Sequence, residues 1–263
     1  MKQNQCWPVA RRRSGRDAQG LVLAIVAGFM LSLAASTPSP AQEAEGVDTA
    51  LVIAVDVSNS VDENRYRLQM EGIASALEDP GVVRTILNGP RSSILVSLVT
   101  WADRAEVAMP WMRIGSEDDA RNVAQTVRNL PHMTGEFTCL GTMLRFVNDK
   151  ILPQIPVHAL RTVVDVSGDG ADNCNAQEPV AAVRDEIASY GTTINGLPIL
   201  EGQEVATIED WYRDNVKAGP GSFILPAVGF SDFGRAIRQK FIVEISSVTP
   251  GPGLVQTARH AGD

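Results

Sequence analysis

The run Ala50–Val57 (ALVIAVDV) is apolar at every position except its seventh, where Asp56 stands. A Val- and Ile-rich strand without polar alternation is buried on both faces, and that demands a sheet with helices above and below it. The next segment changes period. Val61–Glu78 places Tyr66, Met70, Ile73, Ala74 and Leu77 three and four residues apart, the spacing of an amphipathic helix, and Asp79-Pro80-Gly81 is read as its stop. The alternation then continues. Strands are predicted at Ser93–Trp101, Glu106–Trp111, Thr162–Ser167, Thr192–Ile199 and Ser222–Val228. Helices are predicted from Ser116 to Leu130, at Leu140–Val147, at Glu178–Tyr190, at Ile208–Val216 and from Asp232 to Ile245. The link Ala102–Arg104 is hairpin-sized, so the pair it joins is antiparallel. The expected fold is α/β: a three-layer, Rossmann-like, six-stranded, mostly parallel sheet with one antiparallel edge strand and helices on both faces.

The ends read differently. Residues 11–16 are RRRSGR, an apolar run follows from Leu21 to Ala35, and Ser39 and Ala41 are small residues suited to a cleavage pocket. That order describes a secretory signal over residues 1–41, and 15 apolar residues fall short of the roughly 20 that span a bilayer. Export is therefore expected, to the periplasm or the extracellular space, with no stable membrane insertion after cleavage. Cleavage after Ala41 takes the 23 basic residues to 18 and the 31 acidic ones to 30, so the net charge moves from −8 to −12. Such acidity argues against a nucleic-acid partner and suits a divalent cation. The domain is expected over residues 47–246. The remainder, 247–263, carries Pro and Gly without periodicity and is expected to be disordered.

Ligands of open α/β sheets bind at the carboxyl ends of the strands. After the first strand come Asp56, Ser58 and Ser60 at alternate positions, which can converge on one point. After a later strand comes Ser167-Gly168-Asp169-Gly170, and Thr138 opens the helix in between. Two carboxylates and three hydroxyls form an all-oxygen set suited to a hard cation such as Mg²⁺ or Mn²⁺. D-x-S-x-S alone serves equally well as a helix cap with solvated hydroxyls.

The combination Asp56-x-Ser58-x-Ser60, Thr138-Cys139-Leu140-Gly141 and Asp169-Gly170, each after an apolar strand or ahead of a helix, resembles the metal-ion-dependent adhesion site of von Willebrand factor A domains. The stretches VDVSGDGADN, DWYRDNVKAGPGSFILP and DFGRAIRQKFIVEIS look like an uncharacterised bacterial group of exported proteins with that fold. The resemblance implies that Ser58, Ser60 and Thr138 bind the metal through hydroxyls and that Asp56 and Asp169 bind it directly or through water. It also implies an open coordination position for the Asp or Glu carboxylate of a protein partner, and a non-enzymatic, adhesive function. Glu136-Phe137 stand where the family usually has two glycines, and Leu140 where it has a second Thr. Thr138 is chosen over Thr142 because Gly141 and Leu144 match the family's helix start. If both loops border one metal, Cys139 and Cys174 become neighbours, and an oxidising compartment would join them. The alternative is a pair of buried free thiols.

Two further readings belong beside this one. The first is a structural domain with a degenerate site. In the second, Asp56 with Gly168-Asp169-Gly170-Ala171-Asp172 resembles the Mg²⁺-dependent haloacid-dehalogenase phosphatases, but Ser58 replaces their second Asp, the usual general acid. Lys150 is expected in solvent and His132 in a solvated loop, while Trp101, Trp111 and Trp211 are expected to pack in the core or its rim.

Overall fold

The computed structural model describes residues 46–174, 178–202 and 204–246. The predicted signal and the predicted tail lie outside them. Five strands form one sheet in the order β3-β2-β1-β4-β5: β1 Val47–Asp56, β2 Ile94–Trp101, β3 Ala105–Ile114, β4 Ala159–Gly168 and β5 Thr193–Pro198. β1 is central and all ten of its residues are buried. It pairs in parallel with β2, up to Asp56 beside Trp101, and with β4, up to Val55 beside Ser167. β3 runs antiparallel to β2 because Ala102–Arg104 is too short for a parallel crossover. The three ends carrying Asp56, Trp101 and Gly168 therefore lie along one edge of the sheet.

Side chains alternate across this sheet. Leu51, Ile53 and Val55 face a layer built from α1 Glu63–Glu78, α2 Pro80–Leu87, α3 Glu117–Arg128 and α7 Phe233–Ser246. Val52 and Ala54 face the layer of α4 Leu140–Phe146, α5 Val180–Ser189 and α6 Ile208–Asn215. Burying a Val, Leu or Ile contributes about 1.5–3 kcal/mol. Five such side chains on β1 can offset the cost of ending the strand on a buried carboxylate.

Two expectations need correction. The sheet has five strands, because Ser222–Val228 runs beside β5 with isolated bridges only, Gly196 to Ile224 and Ile199 to Ala227. Gly196 N–H donates to Phe223 O at 3.2 Å and Leu225 N–H donates to Gly196 O at 3.0 Å. The next donor along β5 would be Pro198, which has no N–H, and Pro226 stands opposite. Asp79-Pro80-Gly81 ends one helix, as expected, and also begins another. The Asp79 carboxylate accepts from Gly81 N–H at 2.7 Å, and Pro80 occupies the first helical position of α2, where its missing N–H costs nothing. No helix among the described residues is long and apolar enough to cross a membrane.

Candidate metal centre at the top of the sheet

β1 delivers Asp56 fully buried, and the chain then turns on that residue's own side chain. Asp56 Oδ1 accepts from Ser58 N–H at 2.8 Å, a short-range turn that aims the Ser58 hydroxyl back over the strand end. Val61 N–H donates to Ser58 O at 2.8 Å, and Asp62 then caps α1 by accepting from Arg65 N–H at 2.8 Å. The D-x-S-x-S segment is thus a loop ahead of the helix, with the cap supplied by a later residue. Ser58 Oγ and Ser60 Oγ are 3.3 Å apart, and Ser60 donates to Asp169 Oδ1 at 2.6 Å. Thr138 Oγ1 donates to Ser58 Oγ at 3.4 Å. Asp56, Ser58, Ser60, Thr138 and Asp169 therefore converge, while Thr142 is exposed on the first turns of α4.

Thr138 is held by groups that pattern reading passed over. Asn173 Oδ1 accepts from Thr138 N–H at 2.8 Å, and Asn173 N–H donates to Thr138 O at 3.0 Å. Asp172 Oδ1 accepts from Gly141 N–H at 3.0 Å, filling the capping role at α4 that Cys139 leaves unfilled. Cys139 and Cys174 are joined by a disulfide, with Cα atoms 5.1 Å apart. On the other side, the Asp103 carboxylate accepts from the N–H groups of Glu136 at 3.1 Å and Phe137 at 2.8 Å. Gly170 leaves room beside Thr138, and Glu204 accepts from Ala171 N–H at 2.7 Å.

The electrostatics favour a cation. Burial pushes the Asp56 carboxyl up to about 7; the bonds from Ser58 pull it down, and the charge of Asp169 adds to the rise. Burial also raises Asp169, against the pull of the Ser60 hydrogen bond and of Arg65. The nearest base, Arg65, is spent on Glu201 Oε1 at 2.7 Å and on Ser60 O. Asp56 Oδ2 is buried with no hydrogen-bond partner among the described residues. Two buried carboxylates that form no ion pair among the described residues, flanked by three hydroxyls, fit a hard divalent ion. Among the described residues no three His, Cys, Asp or Glu side chains gather on a metal-sized point, so a cation here depends on the hydroxyls. His132 corrects an expectation. It stacks on Tyr66 with ring centres 4.4 Å apart, and its Nδ1 lies 3.0 Å from Glu63 Oε2, largely out of solvent. Trp101 is buried and Lys150 exposed, as expected.

A parallel sheet with one antiparallel edge strand, helices on both faces and D-x-S-x-S at the end of the central strand define a von Willebrand factor A-like fold. Solved structures support that class. Proximal thread matrix protein 1 from the mussel byssus, with a zinc-occupied MIDAS motif, matches with a TM-score of 0.56 at 16% identity over 77% of this chain and 46% of its own. The von Willebrand factor type A structure from Catenulispora acidiphila matches with a TM-score of 0.54 at 16% identity, over 77% and 43%. The chain thus spans about half the length of the structures it matches. No curated protein matches the sequence. The chain belongs to the family described as "Protein of unknown function (DUF1194)", whose model matches residues 46–249.

Proposed function

We propose that the protein is an exported, non-enzymatic recognition domain. In this reading it holds one divalent cation, Mg²⁺ or Mn²⁺, on Asp56, Ser58, Ser60, Thr138 and Asp169, and offers the open coordination position to an Asp or Glu carboxylate of a protein partner. The carrying observation is the convergence of three hydroxyls on two buried carboxylates that form no ion pair among the described residues. A hard, all-oxygen set favours such ions, and a partner's carboxylate on an under-coordinated cation is a strong, charge-assisted anchor. The disulfide suits an oxidising compartment.

Calorimetric titration of Mg²⁺ and Mn²⁺ into chelator-stripped protein tests the reading, with Zn²⁺ as the stronger generic binder for comparison. One saturable site is expected, weakened about a hundredfold by Asp56→Ala and by Thr138→Ala, a loss of about 2.8 kcal/mol in each case. Absence of saturable binding in the wild type would reduce the motif to a turn ahead of α1, and leave a structural domain with a degenerate site.

A further inference from the structure

Tyr212 belongs to the stretch DWYRDNVKAGPGSFILP, which the cation site leaves unexplained. It lies on α6, yet its side chain is fully buried under the top of the sheet. Its hydroxyl has no hydrogen-bond partner among the described residues, and the same holds for Asp56 Oδ2. Both orphans border the same point, although no hydrogen bond joins them in this structure. A Cβ built on Gly168 would lie 2.6 Å from the Tyr212 hydroxyl and 2.7 Å from Asp56 Oδ2. A Cβ on Gly196 would lie 2.8 Å from Tyr212 Cδ1. Two strand glycines thus clear a path for one phenol, across β5 and onto β4, to the unpartnered oxygen of the carboxylate that ends β1. A Cβ at either glycine would drive the ring away.

Buried polar atoms find partners, and a phenol is a donor where a carboxylate oxygen is an acceptor. We propose that Tyr212 is a positioning residue for the cation site: its hydroxyl donates to Asp56 Oδ2 and fixes the rotation of that carboxylate. Ser58 N–H already takes one lone pair of Oδ1. The Ser58 hydroxyl and the Asp169 backbone N–H also bear on this carboxylate, and Tyr212 on Oδ2 would set the rotation at which the remaining lone pairs face the cation or its waters. Asp56 then turns neither toward the apolar side chains of α4 and α6 nor away from Ser58. The inference rests on the cation-site reading above and adds a residue that never touches the metal.

The test has two arms on the full chain. In the first, Mg²⁺ is titrated into wild type and Tyr212→Phe. The variant is expected to bind about tenfold more weakly, the usual scale for a group that orients a ligand. In the second, urea midpoints are measured in chelator for wild type, Tyr212→Phe, Asp56→Ala and the double variant. Loss of the hydroxyl is expected to lower the midpoint when Asp56 is present and to have no effect when it is Ala. Equal effects in both backgrounds overturn the hydrogen bond. Unchanged Mg²⁺ affinity in Tyr212→Phe, with wild-type binding intact, overturns the positioning role alone. A wild type that binds no Mg²⁺ removes the cation-site reading instead, and the chelator cycle still decides the contact.

Discussion

Lys240→Met is expected to destabilise the fold by about 3–5 kcal/mol, the cost of leaving buried charge without its partner. Lys240 on α7 is fully buried, with Nζ 2.8 Å from Asp165 Oδ1 on β4 and 2.7 Å from Glu244 Oε1 one helical turn on. Its ammonium also lies 4.8 Å from the centre of the Phe223 ring. Asn195 on β5 donates to Glu244 Oε1 at 2.7 Å and accepts from Phe223 N–H at 2.9 Å. Arg161 donates to Glu244 O at 2.8 Å. One ammonium thus serves two carboxylates that are both buried from solvent. Burial and the charge of Glu244 push the Asp165 carboxyl up to about 7, against the pull of Lys240.

The sign of the pH dependence follows. A carboxyl whose folded value lies above its unfolded value near 3.8 takes up protons on folding between pH 4 and 7, so stability declines as pH rises through that window. Removing Lys240 strips away the opposing pull and steepens the decline. Urea unfolding at pH 5 and pH 8 reads this directly. The loss in Lys240→Met should be larger at pH 8, where Asp165 must hold its charge in the core without the ammonium. A loss below about 1 kcal/mol, or one equal at the two pH values, would show that Asp165 is hydrated or already neutral.

The triad also shows what a sequence reveals and what it hides. Lys240 and Glu244 look like an ordinary i,i+4 surface pair until Asp165 is found opposite them, and only the packing of α7 on β4 makes that visible. The central strand was legible because ALVIAVDV is a continuous apolar run of strand length, rich in Val and Ile. The five converging residues were legible as neighbours because each follows directly from a strand end or precedes a helix. Asp103, Asp172 and Asn173 were not, since a carboxylate or amide that captures backbone N–H groups across a loop has no characteristic spacing. The count of six strands failed at Pro198, a residue in plain view whose partner strand could not be known in advance. His132 was placed in solvent for the same reason: its partner, Tyr66, is 66 positions away in the chain.

Replacing both half-cystines, Cys139→Ser with Cys174→Ser, should lower stability by about 3–4 kcal/mol, the chain-entropy value for a bond separated by 35 residues. The effect on the cation should be much smaller. Thr138 is also gripped through both backbone groups by Asn173, and the first turn of α4 by Asp172, so the hydroxyl keeps its place when the sulfurs are gone. Mg²⁺ affinity is therefore expected to fall less than tenfold in the serine pair. Asn173→Ala should invert the pattern, costing about 1–2 kcal/mol of stability but about tenfold or more in affinity, because it frees the loop at the ligand itself. Urea melts and Mg²⁺ titrations on the two variants decide the matter. If the serine pair loses affinity in step with stability, the disulfide positions Thr138 and the asparagine is secondary. If the two variants separate as stated, the covalent bond staples the fold while the Asn173 side chain, accepting from Thr138 N–H, shapes the site.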